Sequence, residues 1–282
     1  NEQQDRFMLR TDLTAIFGHD IILNDVLPTE NGLWIAMREG VFLLQPKKPL
    51  TAILKDVYAN TFVAVHDKVL LCTRNGVYSC SNTPQKDAKP RKLFPDGIES
   101  GYYDKGQDRV WLGGFNSGLH VMKPDADGRL TRCGITGASI YNPVRSICPY
   151  NDSIMLAGID GQGVYKITRR PKSQGQYEAA LLFDASYGTH GVLHGNGVYA
   201  VMCDTWGNIV IGSYSGGIDI ARPVGSTPAV FQHGHNDLQS LLNDHVNCVA
   251  QWSDGTMAMG TDNGVSLFNP ITGQWQHTCH GT

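Results

Sequence analysis

Histidine is the residue type in this sequence that most directly suggests chemistry, because ten histidines occur in 282 residues. Two pairs lie close together: His190 and His194 in THGVLH, and His233 and His235 in HGH. Neutral imidazoles from two such loops could hold a metal ion if the loops met. No carboxylate recurs at the same short spacing beside both pairs, and the seven cysteines form no CxxC pair typical of zinc or redox sites. We therefore predict neither a metal nor any other cofactor.

A catalytic site is the second kind of chemistry that the residues could support. The segment SDGT at Ser253 is similar to the Asp-box turn of sialidases, but the sequence shows only the turn, without the arginine triad that binds a sugar carboxylate. The glycine-rich segments FNSG, DGQG and SYSGG join strands and open no helix, which argues against phosphate-binding loops. A Ser-His-Asp triad is assembled in space, and no segment points to one. We expect no catalytic residue.

These glycine-rich segments belong to a repeat, and the repeat must position any site. Each copy has a short apolar run, a small residue, a turn, and a glycine followed by an aliphatic residue. The turn glycines of the six copies are Gly40, Gly76, Gly118, Gly163, Gly217 and Gly264. Their mean spacing is about 45 residues, which is a period typical of β-propeller blades.

The last repeat indicates how each copy divides into strands. The predicted strands are Val246–Trp252, Met257–Thr261, Val265–Phe268 and Gln274–Cys279. Turn-forming Gly, Asn, Asp and Pro separate them. The second strand is apolar on both faces in nearly every copy, as blades stacked face to face require, and its small residue, such as Gly212 or Gly260, is expected where neighbouring blades approach closely. The sequence therefore predicts an all-β fold, a β-propeller of four-stranded antiparallel blades, with six repeats and a seven-bladed ring left open.

We assign all 282 residues to one propeller domain or propeller fragment. The repeats span approximately residues 21–56, 57–95, 96–136, 137–186, 187–233 and 234–282. Residues 1–20 carry an extra strand, RFMLRTDL from Arg6, which is either the last strand of a preceding blade or a strand that closes a complete ring. Leucines recur at helical spacing in NDLQSLLNDHV, Asn236 to Val246, and we expect a single helical turn there.

The charge balance excludes one class of partner. The chain has 23 basic and 26 acidic residues and a net charge of −3, and its one basic cluster, KITRRPKSQ from Lys166, is expected to be a solvated loop. A nucleic-acid partner is therefore not expected. No apolar stretch approaches the length of a membrane span, and the sequence shows no signal-peptide pattern of charged residues followed by an apolar run.

Three segments carry a resemblance to a known family. They are HGHNDLQSLLNDHVNCVAQWSDGTMAMGTDNGVSLFNPITGQW, GQDRVWLGGFNSGLHVMKP and ENGLWIAMREGVFLL. They resemble the two-component regulator propeller repeats, in the matching residues Ser240, Leu241, Asn243, Val246, Asp254, Gly260, Thr261, Gly264 and Val265. The tryptophan that this family has in the second strand is present only as Trp34 and Trp111.

The resemblance implies a function and a compartment. Such repeats form the periplasmic sensor region of Bacteroides-type hybrid two-component system sensor histidine kinases, so a periplasmic, non-enzymatic module of an inner-membrane protein is expected. The implied partners are a glycan or other small-molecule ligand and the neighbouring propeller and immunoglobulin-like domains of the parent protein, and a homodimer is left open. The alternative is a propeller-fold polysaccharide lyase or glycan-cleaving enzyme, which paired acids or a His-carboxylate pair in the channel would favour.

Propeller geometry also predicts where a ligand would bind. The turns between second and third strands and the loops between blades emerge on the same face, around the mouth of the central channel, where concave sites form. Aromatic, amide and charged side chains there suit a carbohydrate. The candidate ligand-binding residues are Arg38, Arg74, Phe115, Asn116, Arg145, Asp160, His194, Tyr214, His245 and Asp262. Trp206, between first and second strands, is expected on the opposite face.

Overall fold

The computed structural model describes residues 12–83, 89–125, 128–170, 177–186, 192–221 and 229–278. They form six sheets, and in each sheet the four antiparallel strands of the blade lie side by side in chain order, which confirms the predicted meander. Blade 1 contains β1 (Leu23–Thr29), β2 (Gly32–Met37), β3 (Gly40–Leu44) and β4 (Thr51–Lys55). Blade 2 contains β5 (Ala59–Val65), β6 (Lys68–Thr73), β7 (Gly76–Ser81) and β8 (Arg91–Phe94). Blade 3 contains β9 (Ile98–Asp104), β10 (Arg109–Gly114), β11 (Leu119–Pro124) and β12 (Leu130–Cys133).

The remaining three blades repeat this order with one addition. Blade 4 contains β14 (Val144–Asn151), β15 (Ile154–Ile159), β16 (Gly163–Arg169) and β17 (Tyr177–Phe183), and β13 (Ile135–Gly137) adds a parallel fifth strand beside β17. Blade 5 contains β18 (Val198–Cys203), β19 (Ile209–Ser213), β20 (Gly217–Ala221) and β21 (Ala229–Phe231). Blade 6 contains β22 (Val246–Gln251), β23 (Met257–Thr261), β24 (Gly264–Asn269) and β25 (Gln274–Thr278).

The first strands are innermost and contact one another in succession from β1 through β5, β9, β14 and β18 to β22. Apolar clusters fill the five interfaces between consecutive blades. The interface between blades 3 and 4, for example, is packed around Trp111, whose ring meets Tyr177 edge to face at 5.1 Å. Because each second strand packs on both faces, β2, β10 and β15 are buried almost throughout.

Glycines of the second strand have two different spatial roles. A Cβ atom on Gly212 would lie 2.7 Å from Cγ1 of Val246 in the next blade, so this glycine does permit the close approach of blades. A Cβ atom on Gly260 would instead lie 2.5 Å from Sγ of Cys248, which belongs to the same blade. No described residue of another blade lies within 4 Å of this position, so the close approach expected at Gly260 stays a prediction.

The N-terminal segment packs on the face of blade 1 that is turned away from blade 2. Residues 6–11 of the predicted extra strand lie outside the described residues, but Asp12 and Leu13 begin a helix, α1 (Leu13–Phe17), instead of continuing a strand. The Asp12 carboxylate caps this helix by accepting from the Ala15 N–H. Phe17 meets Phe42 of blade 1 edge to face at 5.1 Å. In the described part of the chain, no helix is long and apolar enough to cross a membrane.

The helical turn expected at residues 236–246 does not form, and the segment consists of turns and bends. Leu241 is 1% exposed whereas Leu238 is 78% exposed, so the leucines do not share one buried stripe. The Ser240 hydroxyl donates to the Asp237 carbonyl and accepts from the Gly234 N–H. Such side-chain bonds to the backbone compete with helix formation.

Candidate ligand site at the channel mouth

Each blade begins with the same backbone irregularity. In every first strand the pairing with the second strand skips one residue, which forms a β-bulge near the start of the strand. A bulged residue is unpaired in the ladder, and the local bend re-aims its side chain. The six bulged residues are Asn24, Asn60, Glu99, Arg145, Tyr199 and Asn247. They lie at the end of the blades from which the second-to-third turns emerge, and we call this end the mouth.

Arg145 joins three blades at the mouth. Its Nη1 atom lies 3.0 Å from Oε2 of Glu99 in blade 3, and its Nη2 atom lies 3.0 Å from Oδ2 of Asp160 in its own blade. The guanidinium also lies 4.8 Å from the ring centre of Tyr199 in blade 5 and 5.8 Å from that of Phe115 in blade 3, both within cation–π range. The cation is thus held between two carboxylates and two aromatic rings.

A stack of rings continues the network from blade 5 to blade 6. The ring centres of Tyr199 and Tyr214 lie 5.3 Å apart, and those of Tyr214 and His245 lie 4.2 Å apart in a nearly parallel stack. His245 Nδ1 lies 3.1 Å from Oδ2 of Asp262, while Asn247 Nδ2 donates to Oδ1 of Asp262 at 2.8 Å. The hydrogen bonds from Asn247 and His245 lower the pKa of Asp262. Burial raises the pKa of the Tyr199 phenol.

Amides extend the network towards blade 1. Asn60 Nδ2 donates to Oε1 of Glu99 at 3.2 Å and to the Ile98 carbonyl at 2.7 Å. Asn24 Nδ2 donates to the Ala59 carbonyl at 2.7 Å, so each of these bulged residues bonds the next blade. Contacts between side chains, together with bonds from side chains to the backbone of the next blade, therefore connect all six blades at the mouth.

Six of the ten predicted residues meet in this network: Phe115, Arg145, Asp160, Tyr214, His245 and Asp262. The other four do not. Arg74 stacks on Tyr58 of its own blade, with its guanidinium 3.7 Å from the ring centre. Arg38 and Asn116 are exposed, and within the described residues their side chains make no bond.

His194 belongs to a separate pair. Its Nδ1 atom lies 2.7 Å from Oδ1 of Asp219, and its backbone N–H donates to Oδ2 of the same carboxylate. Asp219 lies on the third strand of blade 5, farther from the axis than the bulged residues, and its carboxylate is fully buried. Burial raises the pKa of Asp219, against the hydrogen bonds from His194.

The histidine loops do not assemble a metal centre in the described residues, where no group of three or more His, Cys, Asp or Glu could hold a metal ion. His190 lies outside the described residues. His233 bonds through Nδ1 to the Leu241 carbonyl at 2.8 Å.

Sequence reasoning missed five members of the network: Asn24, Asn60, Glu99, Tyr199 and Asn247. Each directly follows the small or aliphatic residue that starts the first strand, such as Val198 before Tyr199 or Val246 before Asn247. Aligning the repeats on this buried residue would have revealed the column of bulged residues. The turn glycines alone could not, because they mark only the second-to-third turns.

A second cluster lies on the opposite face, between blades 2 and 3. His66 Nε2 lies 3.1 Å from Oδ1 of Asp108 and 2.9 Å from the hydroxyl of Tyr103. His66 and Asp108 border a cleft of about 170 Å³ that Asp67, Lys68 and Leu130 also line. Trp206 is on this opposite face too, in the turn between β18 and β19, as predicted.

Comparison with known proteins bears on the fold. No protein-family model and no curated protein matches the sequence. The chain is similar to the extracellular domain of BT4673 from Bacteroides thetaiotaomicron, which is described as part of a putative one-component system and also of a putative hybrid two-component system. The TM-score is 0.65 at 18% sequence identity, over 87% of this chain and 32% of that domain. This chain has a β-propeller fold.

A second propeller matches this chain with a similar TM-score over most of its length. The WD40 β-propeller domain of Doa1 matches with a TM-score of 0.63 at 13% identity, over 92% of this chain and 86% of that domain. The chain spans about a third of the length of the BT4673 domain, since the match covers 32% of it. The structural neighbours thus include both an extracellular domain of a putative two-component system and a WD40 propeller, and the shared property is the fold.

Proposed function

We propose that this chain is a ligand-sensing extracytoplasmic propeller module of a two-component signalling protein, and that its mouth binds a carbohydrate or oligosaccharide. The observation that carries this proposal is the network of Arg145, Tyr199, Tyr214 and His245, which joins side chains of successive blades around one end of the channel. The similarity to the BT4673 extracellular domain supports the sensor role and a periplasmic location. The parent protein would be a histidine kinase.

The exposed parts of the network suit a sugar. Phe115 and Tyr214 are 41% and 47% exposed, so each leaves part of a large ring for stacking on the apolar face of a pyranose. Arg145 has five N–H donors, and its bonds to Glu99 and Asp160 use three of them. Two donors therefore remain for hydroxyl or carboxylate oxygens of the ligand.

A ligand that bridges blades could also transmit a signal. Binding would favour the arrangement of the blades in which Phe115 of blade 3 and His245 of blade 6 both contact the sugar. Such coupling requires different ligand affinities for the two arrangements. The neighbouring propeller and immunoglobulin-like domains of the parent protein would receive the change, and a homodimer is a further route.

The test begins with a thermal-shift screen of the purified chain against neutral and acidic oligosaccharides, followed by calorimetric titration of each hit. Phe115→Ala and Tyr214→Ala should each weaken binding by roughly 1 kcal/mol or more, about fivefold in affinity. Trp206→Ala is the matched control, because it removes an exposed aromatic ring from the opposite face. Equal losses in all three variants, or a loss at Trp206 alone, would refute a site at the mouth.

One observation favours the alternative of a glycan-cleaving enzyme. His245 and Asp262 form a His-carboxylate pair at the mouth, with His245 Nδ1 3.1 Å from the carboxylate. This arrangement can orient an imidazole for acid–base work. Any sugar that binds should be incubated with the protein and its reducing ends and unsaturated products measured. Turnover that disappears in His245→Gln would establish the enzyme and exclude a purely sensory role.

A further inference from the structure

Two cysteines face each other across the interface between blades 4 and 5. Cys148 lies on β14 and Cys203 on β18, and their Sγ atoms are 3.8 Å apart. Both residues are partly buried, and both thiols are free. The two first strands that carry them are in extensive contact. Mouth residues Arg145 and Tyr199 lie three and four residues earlier on the same strands.

Two hydrogen bonds between the strands hold the cysteines in this position. The Ser146 hydroxyl accepts from the Val201 N–H at 3.0 Å and donates to the Val201 carbonyl at 3.3 Å. Ser146 and Val201 lie two residues before Cys148 and Cys203, so one side chain bonded twice to the opposite strand holds the two strands in register. The nearness of the thiols therefore follows from strand register as well as from the rotamers of two side chains.

We propose that Cys148 and Cys203 are a reversible oxidation site, at which a disulfide joins blades 4 and 5. The oxidant would be the disulfide of a thiol oxidoreductase or of a small thiol compound. One cysteine thiolate attacks a sulfur of that disulfide and forms a mixed disulfide, releasing one thiol. The second cysteine then attacks its partner within the mixed disulfide and releases the other thiol. Two electrons pass to the oxidant, whose two sulfurs end as thiols.

The local environment favours this pair over the buried cysteines Cys72 and Cys80. The neighbouring Cys203 thiol stabilises a thiolate at Cys148 and lowers the pKa of Cys148. Burial raises the pKa of Cys72 and of Cys80, which makes these thiols poor nucleophiles. The movement required is small, since the sulfur atoms must close from 3.8 Å to about 2.05 Å.

Mass spectrometry provides the test. The folded protein is equilibrated with reduced and oxidised glutathione, its free thiols are alkylated, and the digest is searched for linked peptides. We expect a peptide that joins Cys148 to Cys203, loss of two free thiols, and recovery of both after treatment with a reductant. Cys148→Ser and Cys203→Ser should each abolish the linkage. Cys248→Ser, at an exposed cysteine in blade 6, should preserve it.

Thermal unfolding gives a second readout. Closing a loop that contains more than fifty residues restricts the unfolded chain, so the oxidised protein should melt several degrees higher than the reduced protein. The difference should vanish in both serine variants and persist in Cys248→Ser. Full alkylation of Cys148 and Cys203 in oxidising buffer, or linkage of either to a different cysteine, would overturn the proposal. Neither measurement depends on whether the mouth binds a sugar.

Discussion

The two faces of the propeller use polar side chains differently. On the face opposite the mouth, several aspartates bond the backbone of their own turns: Asp204 accepts from the N–H groups of Trp206 and Asn208, and Asp254 accepts from that of Thr256. At the mouth, Arg145 and Tyr199 instead interact with residues of neighbouring blades. Bonds within a turn stabilise that turn, whereas these contacts of Arg145 and Tyr199 link different blades. Thr73 and Thr261 also bond within their own turns at the mouth, so the network of charged and aromatic groups between blades is what marks the mouth as the candidate binding face.

The largest expected effect is that of Arg145→Ala. Glu99 and Asp160 are 14% and 29% exposed, and the substitution leaves both carboxylates without their cation. We expect a loss of about 2–3 kcal/mol in the free energy of unfolding, measured by urea titration, together with loss of sugar binding. Arg170→Ala is the control, because its ion pair with Glu178 is about half exposed and should contribute less than about 1 kcal/mol. Equal losses in the free energy of unfolding for the two variants would refute the expectation that the ion pairs of Arg145 stabilise the fold.

Asp204→Ala tests the opposite face. Asp204 is buried and also accepts from the Asn208 side chain, so the variant leaves three donors unsatisfied. The expected loss of stability is about 1–2 kcal/mol, with no change in sugar affinity by calorimetry. Asp254→Ala, at an exposed turn, should lose less. A loss of affinity in Asp204→Ala would show that the two faces are not functionally separate.

His66→Ala examines a cluster on the opposite face that joins blades 2 and 3. Its partners Asp108 and Tyr103 belong to blade 3, and the His66–Asp108 pair is largely exposed. We expect a change in stability of less than about 1 kcal/mol and an unchanged affinity for any sugar found in the screen. If His66→Ala lowers the sugar affinity and Tyr214→Ala does not, the binding site is the cleft beside His66.

The smallest expected effect is a pH dependence at the mouth. Because the pKa of Asp262 is lowered in the folded protein, its ionised form stabilises the fold above the pKa of the unfolded chain, and that contribution is lost as the pH falls through the folded pKa. Urea unfolding of the parent and of Asp262→Asn should therefore differ at neutral pH and converge below about pH 4. A gap that stays constant with pH would exclude this ionic contribution.

The sequence predicted the fold because the repeat places a turn glycine in every blade. At Gly163, for example, φ is +85° and a Cβ atom would meet the Phe183 carbonyl oxygen, so no other residue fits easily. Members of the mouth network were predicted where they lie in those turns, as Phe115 and Tyr214 do. Glu99 and Tyr199 were missed because a β-bulge is a property of pairing between two strands, which the residues of one strand do not reveal.

Two segments differ from their predicted secondary structure for a related reason. The predicted N-terminal strand RFMLRTDL ends with Asp12 and Leu13, but Asp12 caps a helix that begins at Leu13, and Phe17 packs on blade 1. The helical turn at residues 236–246 was predicted from leucine spacing, but the hydroxyl of Ser240 bonds the local backbone. In both segments a single polar side chain decided the local structure.

The bulge in each first strand has an evolutionary consequence. A bulged residue stands outside the hydrogen-bonded ladder, so a mutation there changes the mouth without changing the pairing that holds the blade together. Asn24, Asn60 and Asn247 share one residue type, while Glu99, Arg145 and Tyr199 each differ from it and from one another. Six codons, one in each repeat, can thus vary separately, and a gene of this kind can acquire a new ligand preference one blade at a time.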